Sequence, residues 1–290
     1  MNSQELLAKV RKLDIKARGL SKNIFAGQYH SAFKGRGMVF SEVREYMYGD
    51  DVRDIDWNVT ARFHHPFVKV FEEERELTVF LLVDVSGSQN FGLHHQLLKD
   101  TITEIAATIA FSAIENNDKI GVIFFSDKIE KVIPAKKGRK HILHIIREML
   151  DFQPQSHKTD VSVALESLNR LVKGRSTTFL LSDFYTPQNF EKALSISSNK
   201  HDVIAIQVYD KFQEQLPNVG LIKVVDAETG HEIYLDTASK DVRTAHSIAW
   251  KQKQELLSRM FNKTKTDNIS VSTTDDYVVA LTKLFKQRAK

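Results

Sequence analysis

Leu77-Thr78-Val79-Phe80-Leu81-Leu82-Val83-Asp84, followed at once by Val85-Ser86-Gly87-Ser88, is the stretch from which the rest of the chain can be read. Its apolar run is nearly unbroken and does not alternate, which marks a strand buried on both faces. The pattern returns in Lys119–Ser126 (KIGVIFFS), Thr177–Asp183 (TTFLLSD) and Asp202–Asp210 (DVIAIQVYD). Between these strands, Gln96–Asn117 places Leu98, Ile102, Ile105 and Ile109 at helical spacing, and helices are also expected over Gly138–Leu150, Val161–Lys173 and Pro187–Ser197. Ile129–Ile133 is expected to return antiparallel through the turn-forming Ser126-Asp127-Lys128. Farther on come a hairpin, Leu221–Asp226 with Glu232–Asp236 around Glu228-Thr229-Gly230, a long helix Ser239–Phe261, a strand Asn268–Ser272 and a closing helix Asp275–Arg288. Strands alternating with helices predict an α/β fold, a mostly parallel sheet with helices on both faces.

Upstream the chain changes character. Ser3–Leu20 reads as an amphipathic helix followed by a polar connector. From Tyr29 to Glu76 there are glycines at 35, 37 and 49, extended pieces at Gly37–Phe40 and Phe67–Phe71, and no long helical period. The sequence therefore predicts a region 1–76, a helix and an irregular strand-containing elaboration packed on the core, and a core region 77–290 with the hairpin inserted at about 221–236. Within the elaboration, Asp50-Asp51-Val52-Arg53-Asp54-Ile55-Asp56-Trp57 admits two readings. It is either a recognition surface or an internal ion-pair network with Arg36, Arg44 or Arg62, and the near balance of acids and arginines favours the network. Exposed pairs stabilise little, so such a network is expected to be partly buried.

Composition removes whole classes of chemistry. The 290 residues contain no cysteine, which excludes disulfides, thiolate zinc sites, thiol nucleophiles and iron–sulfur clusters. No run of apolar residues is long enough for a transmembrane helix. The N-terminus lacks the apolar segment and small-residue cleavage site of a secretory signal, so a cytoplasmic location is expected. Lys and Arg number 41 against 37 Asp and Glu, a net charge of +4. That excess is small and interleaved with acids. Its densest run, Lys136, Lys137, Arg139 and Lys140, lacks the aromatic residues a single-strand binder stacks on, so no nucleic-acid partner is expected. His64-His65, His94-His95 and His141 with His144 have no carboxylate companion at ligand spacing and are read as surface histidines. Gly35-Arg36-Gly37 follows no buried strand and has no Gly-Lys-Ser/Thr, so it is no phosphate loop. No nucleophile elbow is present.

What remains is oxygen. In an open parallel sheet, ligands bind beyond the carboxyl ends of the strands. There the chain places Asp84, Ser86 and Ser88 after one strand, Ser182-Asp183 after another, and Thr159-Asp160 before a helix. Taken singly, such residues cap helices or make Asx turns. Gathered on one edge, Asp84, Ser86, Ser88, Thr159 and Asp183 make an all-oxygen site of the type hard cations such as Mg²⁺ prefer. With few carboxylates, the metal would keep positive charge and accept a partner's carboxylate.

Asp84-Val85-Ser86-Gly87-Ser88 after LTVFLLV resembles the metal-ion-dependent adhesion site of von Willebrand factor type A domains, which are Rossmann-like. Thr159 and Asp183 follow at distances compatible with that family's later ligand loops. Gly35-Arg36-Gly37, Arg44-Glu45-Tyr46, Gly49–Trp57, Thr60-Ala61-Arg62, Phe71–Glu76, Ser182-Asp183-Phe184, His201-Asp202-Val203, Leu216–Gly220 and Asp226–Gly230 resemble, in order, a bacterial branch catalogued as domain of unknown function number fifty-eight. The resemblance implies a von Willebrand factor type A-like fold and a non-enzymatic, metal-dependent protein-binding module. It implies Mg²⁺, or Mn²⁺ or Ca²⁺ in its place, on Ser86, Ser88 and Thr159 directly, with Asp84 and Asp183 partly through water. It further implies an adaptor or chaperone-like partner of a MoxR-type AAA+ ATPase acting on a client protein. The alternative from the residues is a metal-dependent hydrolase using the same site.

Overall fold

The computed structural model describes Leu13 and residues 39–72, 76–91, 97–226 and 230–288. Internal contacts divide the chain into two compact units, Lys34–Glu76 and, with Met1–Phe33, Leu77–Lys290.

In the smaller unit, β1 (Val39–Glu45) pairs antiparallel with β2 (Phe67–Glu72), with Val43 opposite Lys69 and Glu45 opposite Phe67. The connection holds a 3-10 turn at Val52–Asp54 and a helix, α1 (Trp57–Phe63). The sequence reading had no helix here. At seven residues α1 is too short to show an apolar period. Its signal is its cap: the Asp56 carboxylate accepts the N–H groups of Asn58 (3.0 Å) and Val59 (3.2 Å). Arg44 meets Asp50 through two bonds of 2.8 and 2.7 Å, and Asp50 also accepts the Met47 N–H at 2.8 Å. Arg53 pairs with Asp51 at 2.9 Å, and Lys69 lies 3.7 Å from Asp56. The acidic run is thus a local pairing network with Arg44 and Lys69 as its partners from outside the run; Arg36 lies outside the described residues. The network is partly buried at Asp50 and Asp56, as expected, while Arg53 and Asp51 are 89% and 46% exposed.

The larger unit begins with β3 (Thr78–Asp84), α2 (Leu98–Glu115), β4 (Lys119–Phe125), β5 (Ile129–Lys136), α3 (Arg139–Asp151) and α4 (Val161–Leu171). It continues with β6 (Thr177–Ser182), α5 (Glu191–Lys200), β7 (Asp202–Tyr209), α6 (Lys211–Glu214), β8 (Leu221–Val225) and β9 (Glu232–Asp236). It closes with α7 (Lys240–Lys263), β10 (Asp267–Ser272) and α8 (Tyr277–Arg288). Six strands form one sheet in the order β10-β7-β6-β3-β4-β5, parallel except for β5. β3 is a central strand with neighbours on both sides.

Side chains alternate between two cores, as a strand covered on both faces requires. Val79, Leu81 and Val83 join α2, α3 and α8 in one cluster. Phe80 and Leu82 join α4, α5 and α7 in the other. This is an α/β arrangement, a mostly parallel sheet with helices on both faces and β5 as the antiparallel edge. At that edge Gly121 permits a close approach: a Cβ there would lie 2.7 Å from the Phe80 ring and 2.9 Å from the Ala135 nitrogen. The basic run 136–140 is an exposed turn around Gly138, whose φ is +100°.

Two boundaries differ from the sequence reading. The helix expected from Pro187 starts at Glu191, because residues 186–189 form a turn in which the Thr186 hydroxyl meets the Gln188 side chain at 2.7 Å. β5 runs on through Pro134 to Lys136, tolerable on an edge strand. The hairpin β8–β9 forms as expected, a separate two-stranded sheet with Lys223 and Glu232 paired at 2.7 Å. Of the expected helix Ser3–Leu20, only Leu13 is among the described residues; it is helical and packs against the α2/α3/α8 core.

Candidate metal centre

The parallel strands deliver Asp84 and Ser182 side by side, one residue beyond the Val83–Leu181 pair of the β3–β6 register. The Ser182 hydroxyl donates to Asp84 Oδ2 at 2.5 Å, and Asp84 Oδ1 accepts the Ser86 N–H at 2.9 Å. That second bond turns the chain out of β3 into a 3-10 turn over Gly87–Asn90. The turn sets the Ser86 and Ser88 hydroxyls 3.1 Å apart. Asp183 follows β6, and the chain reverses at Phe184 in the left-handed region, φ +53°. This costly conformation is held by the Phe184 N–H bond to the Ser182 hydroxyl (2.9 Å) and by burial of the ring against Phe190 and Phe261, at 5.8 and 5.4 Å. The Tyr185 N–H then donates to Asp183 Oδ1 at 3.0 Å.

Thr159 comes from a third loop. The Gly87 N–H donates to the His157 carbonyl at 2.9 Å, and the Thr186 hydroxyl donates to the Thr159 carbonyl at 2.9 Å, so this loop is stitched to both others. Glu130 on β5 fixes its approach by accepting the Ser126 hydroxyl (2.7 Å) and the Gln155 and Ser156 N–H groups (3.0 and 3.1 Å). Burial acts to raise the Glu130 pKa, but those bonds hold it below the usual value. Asp160 caps α4 by accepting the Ser162 N–H at 2.8 Å.

Asp84, Ser86, Ser88, Thr159 and Asp183, which the sequence singled out, therefore gather at the carboxyl edge of one sheet, each no more than 8% exposed. Burial pushes the Asp84 carboxyl up to about 7, and the charge of Asp183 adds to the shift. Burial raises Asp183 as well, against the opposing pull of Lys253 and of the Tyr185 N–H. Two of the oxygens, Thr159 Oγ1 and Asp183 Oδ2, are buried without a hydrogen-bond partner. Buried polar atoms are rarely left so. A cavity of about 120 Å³, large enough for water, is lined by Asp84, Ser86, Gln89, Lys99, Phe124 and Phe152. The donor set fits a hard divalent cation. Among the described residues no group of three His, Asp or Glu side chains gathers into an alternative centre. His141 bonds the Ile120 carbonyl at 2.9 Å, and His144 lies 3.8 Å from Glu148; His94 and His95 lie outside the described residues.

Sequence reasoning missed Ser182 as a partner of Asp84, and it missed Lys253. The first was legible as a strand-end Ser-Asp pair. The second sits on α7, and its nearest sign is a lysine spaced four and eight residues before Leu257 and Phe261.

Comparison with known proteins agrees with this architecture. An uncharacterized protein of Mycobacterium tuberculosis is 31% identical over 245 residues, covering 83% of this chain and 77% of its own length. An uncharacterized protein of Bacillus subtilis is 28% identical over 131 residues, 45% of this chain and 29% of that protein. The crystal structure of an aerotolerance-related membrane protein from Bacteroides fragilis superposes with a TM-score of 0.51 at 15% identity, covering 73% of this chain and 98% of that one, a likeness of fold. In the chain described here, no helix among the described residues is long and apolar enough to cross a membrane. The model of the family described as protein of unknown function DUF58 matches residues 42–256, and the chain belongs to that family.

Proposed function

We propose that this protein is a non-enzymatic binding module that takes a divalent cation, Mg²⁺ in the first instance, on Asp84, Ser86, Ser88, Thr159 and Asp183. The observation that carries this reading is the pair of orphaned buried oxygens, Thr159 Oγ1 and Asp183 Oδ2, at the sheet edge where burial raises the pKa values of Asp84 and Asp183. When bound, the cation supplies a Lewis-acidic position with residual positive charge, suited to a carboxylate from another protein. The chain's own residues do the preparatory work. Ser182 and the Ser86 N–H orient Asp84, the 3-10 turn aligns the two serine hydroxyls, and the Tyr185 N–H fixes Asp183.

We further infer that the partner is a MoxR-type AAA+ ATPase, for which the protein acts as an adaptor toward a client. The motifs that resemble the family support this part. Among the described residues no hydrogen bond joins a histidine to the Ser86, Ser88 or Thr159 hydroxyl, so a hydrolytic reading has no base in its favour. Capture of the MoxR-type ATPase from the same genome, using the full chain as bait, tests the proposal. Capture is expected to fall at least tenfold with EDTA and equally in Asp84→Ala. Capture indifferent to both removes the metal from the reading, and no capture at all removes the ATPase.

A further inference from the structure

Helix α7 carries Trp250, Lys253, Leu257 and Phe261 at spacings of three, four and four, which places them along one face. Leu257 and Phe261 are 7% and 3% exposed and belong to the core beneath the sheet. Phe261 meets the Phe184 ring edge-on at 5.4 Å, and Trp250 packs on Tyr209 at 5.2 Å. Lys253 is therefore held in place by the same contacts that seat the helix. Its ammonium lies 4.1 Å from the centre of the Tyr185 ring and 5.8 Å from that of Trp250, a desolvated cation–π position. Tyr185 is also the residue whose N–H holds Asp183 Oδ1. Burial lowers the Lys253 pKa to about 8 while Asp183 pulls it back up, so the two charges feel one another. An ammonium laid over the ring of Tyr185, whose N–H holds a carboxylate with an unpartnered buried oxygen, is an expensive arrangement for mere packing.

We propose that Lys253 is a tethered counter-cation of the site, which balances Asp183 in the metal-free protein and lowers the affinity of the site for the divalent ion. This rests on the metal-binding reading given above. The argument is Coulombic. Two cations facing one buried carboxylate repel each other across a medium of low polarity, so each weakens the binding of the other. The net charge of the site follows. Two carboxylates with a dication are neutral, and Lys253 makes the loaded site positive by one. The metal-free site keeps one compensating charge and does not depend on metal to remain folded.

The test is Mn²⁺ binding by the full chain near neutral pH, below the Lys253 value of about 8 so that its ammonium stays charged, followed through the resonance of the free ion. Lys253→Met keeps the apolar stem and is expected to bind Mn²⁺ about tenfold more tightly, while Lys253→Arg stays near the wild type. Without metal, Lys253→Met is expected to melt below the wild type, with the gap closing at saturating Mn²⁺. In an Asp183→Asn background that loss should shrink severalfold. Equal or weaker Mn²⁺ binding in Lys253→Met overturns the inference alone. No Mn²⁺ uptake by the wild type, matching Asp84→Ala, overturns the metal reading beneath it.

Discussion

At the amino edge of the sheet, Asp202 and Asp267 open β7 and β10 and share the guanidinium of Arg288. The bond to Asp202 is 2.5 Å, and Arg288 is only 14% exposed. At the carboxyl edge Asp84 ends β3 and Asp183 follows β6, each 2% exposed, and among the described residues neither forms a salt bridge. The same residue type stands at the ends of different strands of one sheet in opposite electrostatic states. An arginine fork satisfies two carboxylates at once and needs no further ligand. Neutral hydroxyls and N–H groups orient a carboxylate pair without discharging it, and leave oxygens such as Asp183 Oδ2 unsatisfied. A sheet with both edges paired by arginine would be more stable and could bind nothing.

The comparison can be broken by substitution. Arg288→Met leaves two carboxylates facing each other with the cation gone, and is expected to destabilise the protein by about 2–3 kcal/mol, measured by urea unfolding. Asp84→Asn in EDTA, above neutral pH, should do the reverse. Removing one of two like charges that burial already disfavours is expected to stabilise the metal-free protein by about 1–2 kcal/mol. If Asp84→Asn costs as much as Arg288→Met, the carboxyl edge is as well paired as the amino edge and the contrast collapses.

The contrast also marks what could be read from the chain. Leu77–Asp84 and its repeats predict the central strands because burial on both faces forces an unbroken apolar run. The five polar residues at the carboxyl edge are legible because parallel strands must end there together. The pairings that set their electrostatics are not. Arg288 reaches Asp202 across 86 residues, and Lys253 comes to Asp183 from a helix two strands away. Nothing in local spacing encodes either meeting, although each lysine or arginine sits at a position on its helix that packing against the sheet fixes. α1 escaped for a different reason: two turns begun by an acidic cap carry no apolar period to detect.

The smallest expected effect separates the edges by pH. The amino edge holds a second titrating group, His201, 1% exposed, with Nδ1 3.0 Å from the Ser176 hydroxyl, which in turn lies 3.1 Å from that of Thr178. Burial, with Lys200 and Arg175, lowers its pKa from 6.5 to about 4. Between those values the unfolded chain binds the proton and the folded one does not, so this group's stability is present above 6.5 and lost as pH falls toward 4. Asp84 runs the other way. Its pKa rises from 3.8 to about 7, so its favourable contribution is present below 3.8 and lost as pH climbs to 7, and Asp183 shifts in the same sense. Each group can supply a slope of at most about 1.4 kcal/mol per pH unit. In EDTA the two slopes oppose, and the wild type should show a shallow decline across the acidic range. His201→Gln should steepen that decline, and Asp84→Asn should flatten it, because Asp183 alone then opposes His201. Superimposable profiles for the two variants would mean that neither edge holds its charge as described. Added Mg²⁺ should flatten only the slope that Asp84 supplies, because the amino edge offers the metal no unsatisfied carboxylate.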